Sequence, residues 1–171
     1  MLFRSNTETN YFLKKLKVKK ITSIGNLKFI EHDSFETNQA DKKLFSQFRK
    51  YKTFVAASTH NTEELFAAKT HILLKKKIKN IITIIIPRHI NRVDQIISQI
   101  NELGLNAISR RSNKKKLDNI DIYLVDTFGE SKKFYKFATT VFLGGSIIKR
   151  GGQNPLEPAR FGAKIDRKSV V

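Results

Sequence analysis

Three short segments share one spacing: Asn61-Thr62-Glu63-Glu64, Thr127-Phe128-Gly129-Glu130 and Asn154-Pro155-Leu156-Glu157. Each sets a small polar residue three positions ahead of a glutamate, the pattern of a helix start whose side chains satisfy backbone N–H groups reciprocally. Pro155, at the expected first helical position, strengthens the third case, because its missing N–H would be unpaired there. Helix starts carry free N–H groups and positive dipole ends, so three of them at one edge would favour an anion such as a phosphate. Taken singly, each box reads more simply as a well-capped helix. Glu157 could instead accept hydrogen bonds from sugar hydroxyls, as a carboxylate does for ribose in dinucleotide folds.

Two glycine pairs, Gly144-Gly145 and Gly151-Gly152, bracket a segment containing Lys149-Arg150. Glycine lets the backbone approach a ligand closely, and such a loop between a strand and a capped helix is a candidate phosphate cradle. Pro87-Arg88-His89 follows an apolar run, and a guanidinium at Arg88 suits a phosphate or carboxylate in bidentate geometry. A surface ion pair is the competing reading for Arg88. Ser58-Thr59-His60 pairs a hydroxyl with a base, but triad geometry is set in space and not by adjacency, so a serine hydrolase is rejected. A Gly-x-Ser-x-Gly elbow and a Walker A pattern are both absent. With no cysteine, and with His32, His60, His71 and His89 lacking ligand spacing, disulfides and thiolate metal sites are excluded.

These segments need a scaffold that collects them. From Lys52 onward short β-branched runs alternate with longer mixed segments, which predicts an α/β fold with a parallel sheet. Strands are expected at residues 53–57, 81–86, 106–109, 120–125 and 140–143, and helices at 63–76, 92–103, 131–137 and 155–161. The run Ile81-Ile82-Thr83-Ile84-Ile85-Ile86 is apolar on nearly every residue, as in a central strand covered on both faces. In open parallel sheets ligands sit beyond the carboxyl ends of the strands, where the segments above would emerge. Ahead of Lys52, a helix is expected near residues 10–16 and a strand near 21–24, with a polar stretch over 31–41. Residues 1–50 read as a lead-in, 51–165 as one binding domain and 166–171 as a divergent tail.

The chain's 171 residues are enough for one core. Its 33 Lys and Arg against 15 Asp and Glu give +18, a field that attracts phosphates, nucleic acid or anionic lipid surfaces. The same total follows from a composition crowded with Lys, Ile and Asn. Runs such as Lys75-Lys76-Lys77 and Lys114-Lys115-Lys116 read as solvated helix ends and loops. No apolar run approaches the length of a membrane span, and Met1-Leu2-Phe3-Arg4-Ser5 does not read as a signal peptide.

Several ordered segments resemble the motifs of the 3-deoxy-D-manno-octulosonic acid (Kdo) transferases. They are Ala56-Ala57-Ser58-Thr59-His60 with Glu63-Glu64, Pro87-Arg88-His89, Arg110-Arg111-Ser112, Asp126-Thr127-Phe128-Gly129-Glu130 with Phe134-Tyr135, Gly144-Gly145-Ser146, and Gly151-Gly152-Gln153-Asn154-Pro155-Leu156-Glu157-Pro158-Ala159. Gly25-Asn26-Leu27-Lys28-Phe29 is similar to the segment that precedes that domain in the family. The resemblance implies the C-terminal, Rossmann-like half of a GT-B glycosyltransferase. Such an enzyme uses CMP-Kdo, with no metal or other cofactor, to glycosylate a lipid A precursor at the cytoplasmic face of the inner membrane. It also implies donor contacts from Pro87, Arg88, Phe128, Gly129, Glu130, Asn154, Pro155, Leu156 and Glu157, with Ser58, Thr59, His60, Gly144 and Gly145 as possible additions. Phe128 stands where the family usually has Met.

The family's catalytic carboxylate belongs to the N-terminal acceptor domain, so no catalytic residue is expected in this chain. Past Ile165, Asp166-Arg167-Lys168-Ser169-Val170-Val171 departs from the family pattern, and the chain reads as a fragment. The competing readings are a basic nucleic-acid-binding module and a nonfunctional remnant. The first is disfavoured by dispersed lysines and by the lack of zinc spacing or an RNP-like aromatic signature.

Overall fold

In the computed structural model, residues 7–18, 39–112, 116–148 and 151–163 are described. The strand expected at 21–24, the segment 25–29 and the tail 166–171 lie outside them. The chain divides into two compact units, Met1–Glu36 and Thr37–Val171. In the first, helix α1 (Thr7–Lys15) ends with Lys14 and Lys15 in its last turn, where basic side chains suit the negative dipole end.

The second unit is built on five strands: β1 (Lys52–Thr59), β2 (Ile81–Pro87), β3 (Ala107–Ser109), β4 (Ile122–Leu124) and β5 (Thr140–Leu143). They form one sheet in the order β3-β4-β2-β1-β5, and every pairing is parallel. The expected α/β, Rossmann-like class is the observed one. β2 lies in the middle with all seven residues buried, as its unbroken apolar run requires.

Alternation along the strands sorts the core into two layers. Val55, Ala57, Ile82, Ile84, Tyr123 and Val125 share one layer with Phe45 and Phe48 of α2 (Gln39–Phe48) and Phe134 and Tyr135 of α5 (Ser131–Tyr135). Phe54, Ala56, Ile85, Ile122 and Leu124 meet Ala67 and Ala68 of α3 (Glu63–Lys75) and Val93, Ile96 and Ile100 of α4 (Val93–Glu102). Edge-to-face contacts of the Phe48 ring with Tyr123, at 5.2 Å, and with Phe134, at 6.0 Å, fix the first layer. Helix α2 begins inside the stretch expected to be polar, residues 31–41. It buries Leu44, Phe45 and Phe48 in the core, together with the carboxylate of Asp41.

A polar inclusion crosses the second layer. His71 on α3 is fully buried, with Nδ1 2.9 Å from Thr83 Oγ1 and Nε2 3.4 Å from Asp121 Oδ1. Burial lowers its pKa, which Asp121 only partly offsets. Asp121 also holds Lys75 and accepts the Asn106 N–H at 3.0 Å, tying the start of β3 to that of β4.

At the opposite end of the sheet, β1 bulges. Ser58 takes a left-handed backbone, φ 55, so that Ala57 pairs with Ile86 but Thr59 with Pro87. Beyond β5, the Gly144 N–H donates to the Ala57 carbonyl at 2.8 Å, and a Cβ on Gly144 would lie 2.1 Å from the Ser58 carbonyl oxygen. Only glycine fits between these two backbones. Gly144→Ala is therefore expected to destabilise the fold by about 1–3 kcal/mol, the usual cost of overpacking. Denaturant unfolding checks this, and an unchanged midpoint would mean that β5 can retreat from β1 without loss.

Candidate functional site

Parallel strands deliver all their carboxyl ends to one edge, so Ser58, Arg88, Arg110, Asp126 and Gly144, which end or follow the five strands, emerge together. β1 has β2 on one side and β5 on the other, and the chain crosses from β4 to β5 past both. This reversal of strand order is where such sheets open a crevice.

The first loop is dominated by acids. Glu63 is fully buried and accepts N–H groups of His60 and Gly145, each at 2.9 Å, and of Ile147 at 3.3 Å. Glu64, also buried, accepts the Thr59 hydroxyl at 3.3 Å and Arg92 at 3.2 Å. Burial raises the Glu64 pKa against the opposing pull of these donors. The box expected over residues 61–64 is thus not formed as read. Thr62 is the cap residue, in a left-handed backbone without a side-chain bond, and it is Glu63, not Glu64, that reaches back.

The loop after β4 is held by charge. Glu130 bonds Arg110 at 3.2 Å, Lys133 at 2.9 Å and the Thr127 hydroxyl, while Asp41 of α2 accepts from the same Arg110 and from Lys133 at 3.0 Å. Thr127 and Glu130 therefore bond each other instead of the backbone, and Glu130 is the cap residue ahead of α5, with no side-chain cap bond. Phe128, between them, is 78% exposed. Asp126 accepts the Arg111 N–H at 3.1 Å, which fixes the loop after β3 to it.

Past β5, the Gly152 N–H donates to the Gly145 carbonyl at 2.8 Å and brings the second glycine pair to the same edge. Asn154 Oδ1 accepts the Leu156 N–H at 3.1 Å, but Pro155 is the cap and not the first residue of α6 (Leu156–Arg160). Among the described residues Glu157 makes no return bond, and its charge falls on buried Tyr135, whose pKa is raised first by burial and then by Glu157.

The edge thus has two kinds of sequence-expected residue. Thr59, His60, Gly144 and Gly145 are buried, and the Thr59 hydroxyl and the backbone N–H groups of His60, Gly144 and Gly145 are bonded within the protein. Arg88, Phe128, Gly129 and Leu156 are exposed, and Asn154, Pro155 and Glu157 half-exposed. Arg88 is anchored only through its backbone N–H, 2.9 Å from the Thr59 carbonyl. Among the described residues nothing pairs its guanidinium. Reading by sequence missed Asp41 and Lys133, whose partners lie 69 to 92 positions away. No group of three or more His, Asp or Glu among the described residues could hold a metal ion, and no described helix is long and apolar enough to cross a membrane.

The chain is similar to known proteins in sequence and in fold. The chain is 31% identical over 143 residues to a 3-deoxy-D-manno-octulosonic acid transferase of Haemophilus influenzae, covering 83% of this chain and 34% of that one. The transferase of the same name from Rickettsia felis is 36% identical over 148 residues, covering 86% and 32%. A bifunctional glycosyltransferase/methyltransferase of Fusobacterium nucleatum is 33% identical over 160 residues, covering 89% and 23%. The crystal structure of the C-terminal CMP-Kdo binding domain of WaaA from Acinetobacter baumannii matches with a TM-score of 0.65 at 26% identity, over 73% of this chain and 66% of that one. The protein-family models contain no match. The chain spans about a third of the length of the two transferases.

The charged loop makes stability depend on acid. Burial would raise the Glu130 carboxyl, but hydrogen bonds from Arg110, Thr127 and Lys133 outweigh it and hold the pKa at about 2 against an ordinary 4.5. A carboxyl depressed on folding stabilises fully above its unfolded value and ceases to as pH falls through its folded one. Stability is expected to drop between pH 4.5 and about 2, and Glu130→Gln to reduce that slope. Equal slopes in urea titrations of the two proteins would remove Glu130 from the network.

Proposed function

Because the chain is homologous to the Kdo transferases over 83 to 86% of its length, we propose that its carboxyl edge is the donor half of such an enzyme and binds CMP-Kdo. The observation that carries this reading is the guanidinium of Arg88, without a partner among the described residues and exposed at the edge where five parallel strands end. In the proposed complex Arg88 takes the phosphate in charge-assisted hydrogen bonds. In the same complex the start of α6, residues 154–157, also faces the phosphate, with Glu157 accepting bonds from the ribose hydroxyls. The exposed Phe128 ring offers a face to the base, on a loop shaped by Pro87, Gly129 and the ion pairs of Glu130. By the same reading the whole enzyme works without a metal, moves Kdo to a lipid A precursor and acts at the cytoplasmic face of the inner membrane, where the +18 charge favours an anionic surface.

Calorimetric titration with CMP tests the site. Hydrogen bonds to charged groups carry about 1.5–3 kcal/mol, so Arg88→Ala and Glu157→Ala should each weaken binding by roughly tenfold or more. Lys76→Ala is the control, since Lys76 is exposed at the end of α3 that leads away from the site. A Lys76→Ala loss as large as that of Glu157→Ala, or one vanishing with added salt, would mean diffuse attraction in place of a site.

Binding and transfer should also separate. In the proposed enzyme, acceptor recognition and the catalytic carboxylate lie in the part of the relatives that these 171 residues do not match. The purified chain is expected to convert no CMP-Kdo when given a lipid A precursor. Measurable turnover by this polypeptide would place the catalytic group inside it.

A further inference from the structure

Glu63 presents nothing to the outside, yet it joins the two loops that flank the crevice. Its oxygens receive four hydrogen bonds from three backbone N–H groups: His60, Ile147, and Gly145 at 2.9 Å to each oxygen. Among the described residues no Lys, Arg or His side chain pairs with it. A buried carboxylate is costly unless such donors satisfy it, and these lie 3, 82 and 84 positions from Glu63. Gly145 is left-handed, φ 77, and through its carbonyl it carries Gly152 and the segment leading to Asn154.

We propose that Glu63 is a positioning residue of the donor site, an internal anion that occupies the amides of the glycine turn. The turn is then set before any ligand arrives, and a ligand phosphate is directed to Arg88 and the 154–157 segment instead of to Gly145. This rests on the donor-site reading above and adds a specific role for a side chain that no ligand touches. Because two loops converge on one carboxylate, its removal should act at a distance, through the place where Asn154 and Glu157 are held.

The test uses the full chain, with amide spectra of His60, Gly145 and Ile147 beside CMP titration. In Glu63→Gln the Gly145 and Ile147 signals should move and their hydrogen exchange quicken, with CMP bound about tenfold more weakly by protein that still unfolds cooperatively. In Glu63→Ala, sodium acetate should restore part of the affinity and sodium chloride at equal ionic strength should not. Unchanged amide signals in Glu63→Gln, or altered signals with CMP affinity intact, would overturn the proposal. Should neither variant fold, Glu63→Asp decides: a carboxylate one methylene short should bind CMP weakly, and wild-type affinity counts against a positioning role. If the unaltered protein binds no CMP, the donor-site reading fails, while the amide signals still judge whether Glu63 holds the turn.

Discussion

Backbone pairing between β5 and β1 ends where the Gly144 N–H meets the Ala57 carbonyl, and one residue later the chain must leave a sheet that has no further partner for it. Buried N–H groups left at that point would each cost a lost hydrogen bond. Glu63 receives them: its carboxylate stands where a neighbouring strand's carbonyls would have been. The close approach of Gly144 to Ser58 and the positive φ of Ser58 and Gly145 are consequences of bringing two strand ends within reach of one side chain. Strain of this kind persists only where surrounding contacts over-determine it, and four hydrogen bonds to one buried group do so.

The net charge conceals how the acids are used. Asp41, Glu63, Glu64 and Asp121 are buried, and Glu130 nearly so, each engaged by amides or by a specific cation. Removing one partner of such a group leaves an uncompensated charge, which is far costlier than loss of a surface pair. Arg92, Arg110 and Lys133 are thereby consumed in holding loops. Among the described residues, Arg88 and Arg111 are exposed at the carboxyl edge on loops whose backbones are held by hydrogen bonds. A rigid support below a free guanidinium is what selective recognition of an anion needs, since ordering flexible loops on binding would subtract from affinity.

Much of this was legible in the sequence because it depends on local pattern. β-Branched runs marked all five strands, and the unbroken Ile81 to Ile86 run marked the central one, because burial on both faces leaves no room for alternation. Strand ends differ by a residue or two, as for β4, where Ile120 and Val125 fall outside the paired residues. What could not be read depends on long-range partners. Two adjacent glutamates, Glu63 and Glu64, are equivalent in sequence, and only the approach of β5 decides that one receives amides and the other Arg92. His71 resembled any helical histidine until Thr83 and Asp121 were placed beside it, 12 and 50 positions away. Helix α2 is short and mostly polar, so its four apolar residues, Ala40 among them, gave too weak a period to stand out.

The arrangement also bears on how the proposed donor site can exist in a chain matching about a third of its relatives. A parallel sheet with helices on both faces closes its own core, and among the described residues Glu63 and the Asp41–Arg110–Glu130–Lys133 cluster, which shape the carboxyl edge, belong to the unit that begins at Thr37. None of the edge's described hydrogen bonds calls for a residue from elsewhere. On the reading proposed above, donor binding falls to this unit, whereas transfer requires a second surface to bring an acceptor to the sugar. In a two-lobed enzyme that division is physically useful: a rigid donor lobe with its loops already satisfied can meet a separate acceptor lobe without first paying the entropy of ordering itself.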